Sequence, residues 1–169
     1  MSIAYIALGA NLDQPSKQIK EAICMLGTLP GSYVITSSSL YRSPPHGYQD
    51  QPDFVNAVTA ISTSLKAGDL LTALLKLEQK FGRTRTFKNA PRTLDLDLLL
   101  YDNLVINTQH LTLPHPRMTE RPFVMIPLQE IAPALIIAGQ GSINEICQQL
   151  TAVQNTSMQL TKLDASNAA

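Results

Sequence analysis

Two aspartates, Asp95 and Asp97, interrupt an otherwise apolar run that follows Arg92 and continues to Leu100. The run predicts a buried strand, and side chains alternate between the two faces of a strand. The two carboxylates therefore share one face, with their Cα atoms about 6.5 Å apart. Oxygen ligands so placed suit a hard cation such as Mg2+. The spacing alone leaves open the alternative that both aspartates are solvated or bind a neighbouring turn.

A basic loop precedes this strand and extends from Gly82 to Pro91. It carries Arg83, Arg85 and Lys88, and Arg92 follows it directly. Arginines bind phosphate oxygens through forked hydrogen bonds, and a Mg2+ held by paired carboxylates bridges the same oxygens. The loop and the strand together indicate polyphosphate handling, although a solvated charged surface is the alternative.

A third candidate is Asn56, which lies inside the apolar segment from Phe54 to Ile61. A buried amide needs partners, and an asparagine offers both a donor and an acceptor to a flat heterocycle. For Phe54 the residues alone favour an ordinary core position. The tripeptide that begins at Gly9 is too weak a phosphate signal and predicts only a turn.

Composition limits the class of protein. Lysine plus arginine and aspartate plus glutamate each number 13 in 169 residues, and this zero net charge argues against nucleic acid or a membrane surface as partner. The chain has no tryptophan, and no apolar stretch nears the ~20 residues of a membrane span. Without a visible signal peptide, we expect a cytoplasmic protein. Cys24 and Cys147 are predicted to be buried free thiols.

The elements that must position these residues follow the order β-α-β-β-α-β. This order predicts an α+β ferredoxin-like sandwich with helices on one face of an antiparallel sheet. The predicted elements are a strand at 3–8, a helix from about 13, strands at 33–41 and 54–61, a helix at 65–81 and the aspartate strand. Additions follow: a strand at 104–106 that pairs back, helices at 123–131 and 142–150, and a weak strand at 158–163. We expect one domain over residues 1–163 and a disordered tail at 164–169.

Several motifs together resemble one known family. They are Gly9-Ala10-Asn11, Tyr41-Arg42-Ser43-Pro44-Pro45, Gln51 to Ala57, Gly82-Arg83, Pro91-Arg92-Thr93-Leu94-Asp95-Leu96-Asp97, Pro114-His115-Pro116 and Pro127 to Pro133. In this order, over residues ~3–135, the chain is similar to the 6-hydroxymethyl-7,8-dihydropterin pyrophosphokinases. The Arg-Thr-Leu-Asp-Leu-Asp string is highly specific to that family.

The resemblance implies an enzyme that transfers pyrophosphate from ATP to the hydroxymethyl group of the pterin, leaving AMP, in folate biosynthesis. The sequence shows no oligomeric interface, so we expect a monomer. The resemblance also implies two Mg2+ ions between ATP and the metal ligands Asp95 and Asp97. By position in the motifs, the implied catalytic residues are Arg83, Arg92 and Asp97. The implied ATP-binding residues are Glu78, Arg85, Arg92, His115 and Arg121, and the implied pterin-binding residues are Ser43, Pro44, Phe54, Asn56 and Phe123.

Two alternatives stand beside this hypothesis. Another Mg2+-dependent nucleotidyl or phosphoryl transferase on the same fold would release ADP or free pyrophosphate rather than AMP and a pterin diphosphate. A non-catalytic ferredoxin-like binding module for RNA or a small regulator has no need of paired aspartates beside four cations, and few aromatic residues are available to stack bases.

Overall fold

The protein is built on an antiparallel sheet with helices on both faces. The structure is a computed structural model, and it describes residues 1–45, 47–82, 88, 91, 93–153 and 160–164. The strands are β1 (Ser2–Ala10), β2 (Ser32–Ser37), β3 (Leu40–Ser43), β4 (Phe54–Thr63), β5 (Asp95–Tyr101), β6 (Ile106–Asn107), β7 (Thr112–Leu113), β8 (Ile136–Ile137), β9 (Gly141–Ser142) and β10 (Thr161–Leu163). The helices are α1 (Pro15–Leu26), α2 (Ala67–Lys80), α3 (Pro122–Ile131) and α4 (Ile143–Val153), with a 3-10 turn at Met118–Glu120.

The strand order confirms the ferredoxin-like prediction. The main sheet runs β5-β1-β4-β3-β10, and β2 pairs with β4 along the same edge as β3. All of these pairings are antiparallel. β1 and β4 are therefore central strands, while β5, which carries the two aspartates, lies at an edge.

The first face of the sheet is covered by α1 and α2. Pro15 occupies the start of α1, where its missing N–H costs no hydrogen bond. Gly82 follows α2 with φ of +76°, a backbone conformation that favours glycine. The side chains that form this core come from both helices and from alternate strand positions: Ile19, Ala22, Leu26, Leu70, Leu74, Leu77, Ile6, Leu8, Leu94, Leu96 and Leu98. Fully burying each large one contributes roughly 1.5–3 kcal/mol.

The second face is covered by α3 and α4, the additions that follow the ferredoxin-like core. Val124, Met125 and Leu128 of α3 pack with Ile143 and Ile146 of α4 into a second core. The strand residues in that core are Ala7, Val58, Leu99 and Leu100. The helices therefore lie on both faces and not on one, because the added segment buries the apolar side chains that the core leaves on the second face. This second face also carries Asp95 and Asp97.

Some boundaries differ from the prediction. The strand expected at 33–41 is two strands, because the regular ladder is interrupted at residues 38 and 39: Ser38 stays bonded to Val58 of β4, but the Ser39 N–H donates to Glu130. Residues 104–106 do not pair back on β5; Ile106 pairs with β7, and Leu104 and Val105 are exposed.

Other predictions concern the cysteines and the end of the chain. Cys147 is buried as expected, but Cys24 is exposed because it lies on the outer face of α1. β10 confirms a late strand at Thr161–Leu163, whereas residues 158–159 and 165–169 lie outside the described residues. Within the described residues, no helix is both long and apolar enough to cross a membrane.

Candidate active site

The two aspartates lie side by side on the second face of β5, as their spacing predicts. Asp95 is opposite Gly9 of β1 and Asp97 is opposite Ala7. Both carboxylates are half-buried, while Leu96 between them is 3% exposed and points into the first core. The alternation therefore separates a polar face from an anchoring face on the same strand.

Arg121, at the start of α3, contacts Asp97. Its Nη1 lies 3.4 Å from Asp97 Oδ2, and both side chains are only partly exposed. Its guanidinium carbon lies 6.0 Å from the ring centroid of Phe123. The N-terminus of a helix carries the positive end of the helix dipole. Arg121 and this end of α3 together favour negative charge beside Asp97.

His115 lies close to the same charges. Its backbone N–H donates to Leu99 O at 2.9 Å, where the register of β5 shifts, and its Nδ1 accepts the Arg117 N–H at 3.3 Å. Burial lowers the pKa of His115, Asp97 acts to raise it, and Arg121 lowers it further, with a net decrease. A neutral imidazole with Nδ1 as acceptor presents Nε2–H as a donor. Such a donor suits a phosphate oxygen.

Glu78 of α2 binds the aspartate strand from the first face of the sheet, the face opposite to the two carboxylates. Its side chain is in the buried part of α2, 3% exposed, and its Oε1 accepts the backbone N–H of Leu96 at 2.8 Å. This bond satisfies an N–H at the edge of the sheet, in the residue that separates the two aspartates. Direct contact of Glu78 with ATP stays a prediction.

Gly9 lies on the sheet surface between the two carboxylates and the Asn56 amide. Asp95, Gly9, Asn56 and Tyr41 occupy one row across four strands. Two strand spacings put Asp95 and Asn56 about 9.6 Å apart along this row. A Cβ at Gly9 would lie 3.3 Å from Asn56 Oδ1. The expectation of a mere turn here was wrong, because Gly9 is part of β1.

Asn56 and Ser43 form the amide end of the row. Asn56 is 6% exposed and Ser43 is 2% exposed. Asn56 Nδ2 donates to Ser43 Oγ at 2.8 Å, so the side-chain oxygen is the atom nearest to Gly9. The amide is thus held in one orientation, as the recognition of a heterocycle edge requires.

The remaining pterin candidates lie on or next to the strands of this row or on the helix that packs against them. Phe54 begins β4 opposite Ser43, and Pro44 follows β3; both are half-buried. Phe123 is half-buried in the first turn of α3, which packs against β3 and β4. The structure thus places each of the three at an element that borders the row.

Further polar side chains hold this region in place and were not predicted. Asn11, 3% exposed, donates through Nδ2 to Gln51 Oε1 at 2.9 Å and to Pro52 O at 3.0 Å. Glu130 binds Tyr41. Asn11 and Glu130 belong to the quoted motifs, but their partners are distant in sequence.

Arg83, Arg85 and Arg92, the predicted phosphate-binding arginines, lie outside the described residues, as does His46. The ends of the loop that carries these arginines are joined by Thr93 Oγ1, which donates to Phe81 O at 2.5 Å. The loop therefore starts and finishes beside the aspartate strand.

The donor set fits Mg2+. The described part of the chain contains no group of three or more histidine, cysteine, aspartate or glutamate side chains arranged to hold a metal. Mg2+ commonly binds one or two carboxylates and takes its other ligands from water and substrate phosphates. Asp95 and Asp97 supply that minimum on one half-exposed face, so the site fits Mg2+ that arrives with a phosphate ligand.

Comparisons with known proteins identify strong sequence similarity. Residues 5–133 match the sequence model of the family described as 7,8-dihydro-6-hydroxymethylpterin-pyrophosphokinase (HPPK). The chain is 45% identical over 149 residues to a 2-amino-4-hydroxy-6-hydroxymethyldihydropteridine pyrophosphokinase of Haemophilus influenzae, covering 88% of this chain and 93% of that protein. It is 43% identical over 130 residues to the enzyme of the same name from Bacillus subtilis, covering 77% and 78%.

Solved structures support the fold. A crystal structure of an HPPK-DHPS in complex with substrates matches with a TM-score of 0.71 at 13% identity over 90% of this chain. A Plasmodium falciparum HPPK-DHPS matches with the same TM-score and identity over 92%. The chain spans 44% and 47% of the length of those two proteins. At this identity, the likeness shows the fold alone.

Proposed function

The chain belongs to the 7,8-dihydro-6-hydroxymethylpterin-pyrophosphokinase family and transfers pyrophosphate from ATP to 6-hydroxymethyl-7,8-dihydropterin in folate biosynthesis, and we propose that the row from Asp95 to Asn56 is where it does so. The observation that carries this proposal is the placement of two unlike groups on one face. A pair of carboxylates lies at one end, an oriented neutral amide lies at the other, and Gly9 separates them. These ends match a metal-bound triphosphate and a flat heterocycle.

Asp95 and Asp97 would hold Mg2+, and two ions are proposed from the family resemblance. Mg2+ held there would neutralise phosphate oxygens and would stabilise the charge that develops on the attacking and leaving oxygens. Arg121 adds positive charge beside Asp97, and the His115 imidazole offers a neutral donor. These side chains orient the triphosphate, which is the main task of a protein in phosphoryl transfer.

In the reaction, the hydroxymethyl oxygen attacks the β-phosphorus of ATP. A new P–O bond forms, the alcohol releases its proton to the solvent, and the bond from the β-phosphorus to the α,β-bridging oxygen breaks. AMP leaves with the electron pair of that bond. We assign Asp97 to the side nearer the hydroxyl and Arg83 and Arg92 to the phosphates, and we assign Arg85 and Glu78 to the nucleotide from the resemblance alone.

The pterin end is proposed to work through shape and hydrogen bonding. Asn56, held by Ser43, binds the edge of the ring, and Phe54 and Phe123 enclose its two faces. Pro44 forms part of the wall. A ring so held keeps its hydroxymethyl group aligned toward the β-phosphate, and alignment of the reacting atoms accounts for a large share of catalysis.

The products of a single incubation test this proposal. Protein, Mg2+, ATP and the hydroxymethyl dihydropterin should yield AMP and the pterin diphosphate, which chromatography separates. Formation of ADP would instead indicate a different phosphoryl transferase, and turnover in excess EDTA would contradict the role of the metal. Asn56→Ala should raise KM for the pterin and leave KM for ATP nearly unchanged if the amide binds the pterin.

We further propose that the enzyme works as a monomer in the cytoplasm. Both substrates, ATP and the hydroxymethyl dihydropterin, are small water-soluble molecules. Light scattering after gel filtration should give a mass near 18.5 kDa. A mass of twice that value at micromolar concentration would contradict the monomer, and cell fractionation tests the location.

A further inference from the structure

The carboxylate of Glu130, in the last turn of α3, accepts hydrogen bonds from the segment that leads into β3 and from β3 itself. Ser39 donates to Oε1 through its backbone N–H at 2.9 Å and through Oγ at 2.8 Å, and the Tyr41 hydroxyl donates to Oε2. Lys162 Nζ lies 3.9 Å from Oε1. Burial by itself raises the pKa of Glu130, but the hydrogen bonds from Tyr41 and Ser39 and the charge of Lys162 outweigh it and lower the pKa.

These contacts lie where the edge of the sheet is interrupted. Between β2 and β3, Ser38 stays bonded to β4: its N–H donates to Val58 O at 2.9 Å, and its Oγ accepts the Val58 N–H at 3.0 Å. The backbone N–H of Ser39 is directed to Glu130 instead. Glu130 therefore supplies the acceptor at the point where the chain passes from one strand to the other.

The segment held by Glu130 continues directly into the amide end of the site. Tyr41 pairs with Asn56 across β3 and β4, and Ser43, two residues further along, accepts the Asn56 amide hydrogen bond. All three side chains are buried. A shift of β3 along or away from β4 would move the Ser43 acceptor and release the Asn56 amide.

We propose that Glu130 is a positioning residue for the pterin pocket: by holding Ser39 and Tyr41 it fixes β3, and through Ser43 it fixes the orientation of the Asn56 amide. This inference rests on the proposed assignment of Asn56 to the pterin. Glu130 itself is at the far end of α3 from Arg121, and the 10 residues of that helix span about 15 Å. α3 thus connects the phosphate end of the site with the wall of the pterin end.

The test compares Michaelis constants for the two substrates in Glu130→Gln and Tyr41→Phe. Glu130→Gln keeps the shape but replaces one acceptor oxygen with an amide NH2 group, which can only donate, and Tyr41→Phe removes only the hydroxyl. We expect KM for the pterin to rise about five- to twentyfold in Glu130→Gln, the range expected for weakening hydrogen bonds to a charged group, with KM for ATP within about twofold. Glu145→Gln, on the exposed first turn of α4, is the matched control and should change neither constant.

A double mutant separates positioning from a general loss of structure. If Glu130 acts through Tyr41, the Glu130→Gln/Tyr41→Phe protein should have a pterin KM lower than the product of the two single effects predicts, because the two changes remove one shared contact. Glu130→Asp, which keeps the charge, should recover part of the pterin affinity. Urea unfolding of each variant verifies that it is folded under the assay conditions.

Three results would overturn the inference. A pterin KM within twofold of wild type in a folded Glu130→Gln protein would show that the carboxylate does not position the pocket. Equal increases in both Michaelis constants would show a general structural role. If Asn56→Ala leaves the pterin KM unchanged, the proposed pterin site itself fails, and the inference fails with it. If Asn56→Ala raises that KM and Glu130→Gln does not, only the inference fails.

Discussion

Replacing Gly9 with alanine should impair catalysis without destabilising the fold. Gly9 lies in β1 and is not among the residues with positive φ, so alanine is compatible with its backbone. The new Cβ would lie 3.3 Å from Asn56 Oδ1, a tight contact with a side chain that is 6% exposed and bonded to Ser43. The methyl group would also project from the sheet between the carboxylates and the amide, where we propose that the two substrates meet.

The magnitude follows from the cost of overpacking. An extra methyl group in a well-packed place costs about 1–3 kcal/mol. If substrate binding bears that cost, kcat/KM falls about fivefold to about a hundredfold, at 1.4 kcal/mol for each factor of ten. The folded protein has an opposing gain, because glycine inside a strand is about 0.5–1 kcal/mol less favourable than alanine. In the free protein this gain offsets part of the strain of the contact with Asn56, so stability should change little while activity decreases.

Steady-state kinetics with both substrates and urea unfolding measure these two effects. Gly68→Ala is the matched control, because a Cβ at Gly68 in α2 meets no atom within 4 Å. That variant should gain up to about 1 kcal/mol of stability and keep wild-type kcat/KM. A Gly9→Ala enzyme with kcat/KM within twofold of wild type would refute the role of Gly9 in keeping the space between the carboxylates and the amide open.

Three further predictions follow from named contacts. Asp97→Asn, which keeps the size of the side chain, should lower kcat/KM by a factor of a hundred or more, as expected for losing transition-state electrostatics, while circular dichroism shows an unchanged fold. Glu78→Ala should lower the free energy of unfolding by at least about 1–3 kcal/mol, because it leaves the buried Leu96 N–H without its acceptor, and Glu78→Gln should lower it less in the same urea titration. The folded-state pKa of Glu130 is below its usual value of 4.5, so its contribution to stability is complete well above pH 4.5 and is lost as the pH falls below 4.5 and through the lowered value. The stability difference between wild type and Glu130→Gln should therefore shrink in urea titrations from pH 6 to pH 3.

The parts of the fold that depend on local pattern were predictable from the sequence. The alternation of Asp95, Leu96 and Asp97 places the carboxylates on one face by strand geometry alone, and the structure confirms it. The helical spacing of Leu70, Leu74 and Leu77 likewise gives the buried face of α2. Such periodicities need no knowledge of distant residues, because each element must bury one face.

The errors arise where a distant partner decides the structure. The run from Tyr33 to Tyr41 has strand composition throughout, yet it divides because Glu130, 91 residues from Ser39, binds the backbone at the break. The acceptor for the Leu96 N–H is likewise 18 residues away in α2. The local sequence around Gly9 is typical of a turn. Only its pairing with Asp95 and Asn56 shows that it lies in a strand between the carboxylates and the amide. Cys24 was expected inside, but only tertiary packing decides which face of α1 is buried.

The most direct test of metal binding by the aspartate pair is a count of bound Mn2+, which substitutes for Mg2+ and is detected by electron paramagnetic resonance. The titration uses the full chain with an ATP analogue whose α,β-bridging oxygen is replaced by a methylene, so that the scissile bond stays intact. We predict two protein-dependent Mn2+ ions per wild-type molecule in the presence of the analogue and fewer in the Asp95→Asn/Asp97→Asn protein. Equal stoichiometry and affinity in the two proteins would contradict the assignment of Asp95 and Asp97 as the metal ligands.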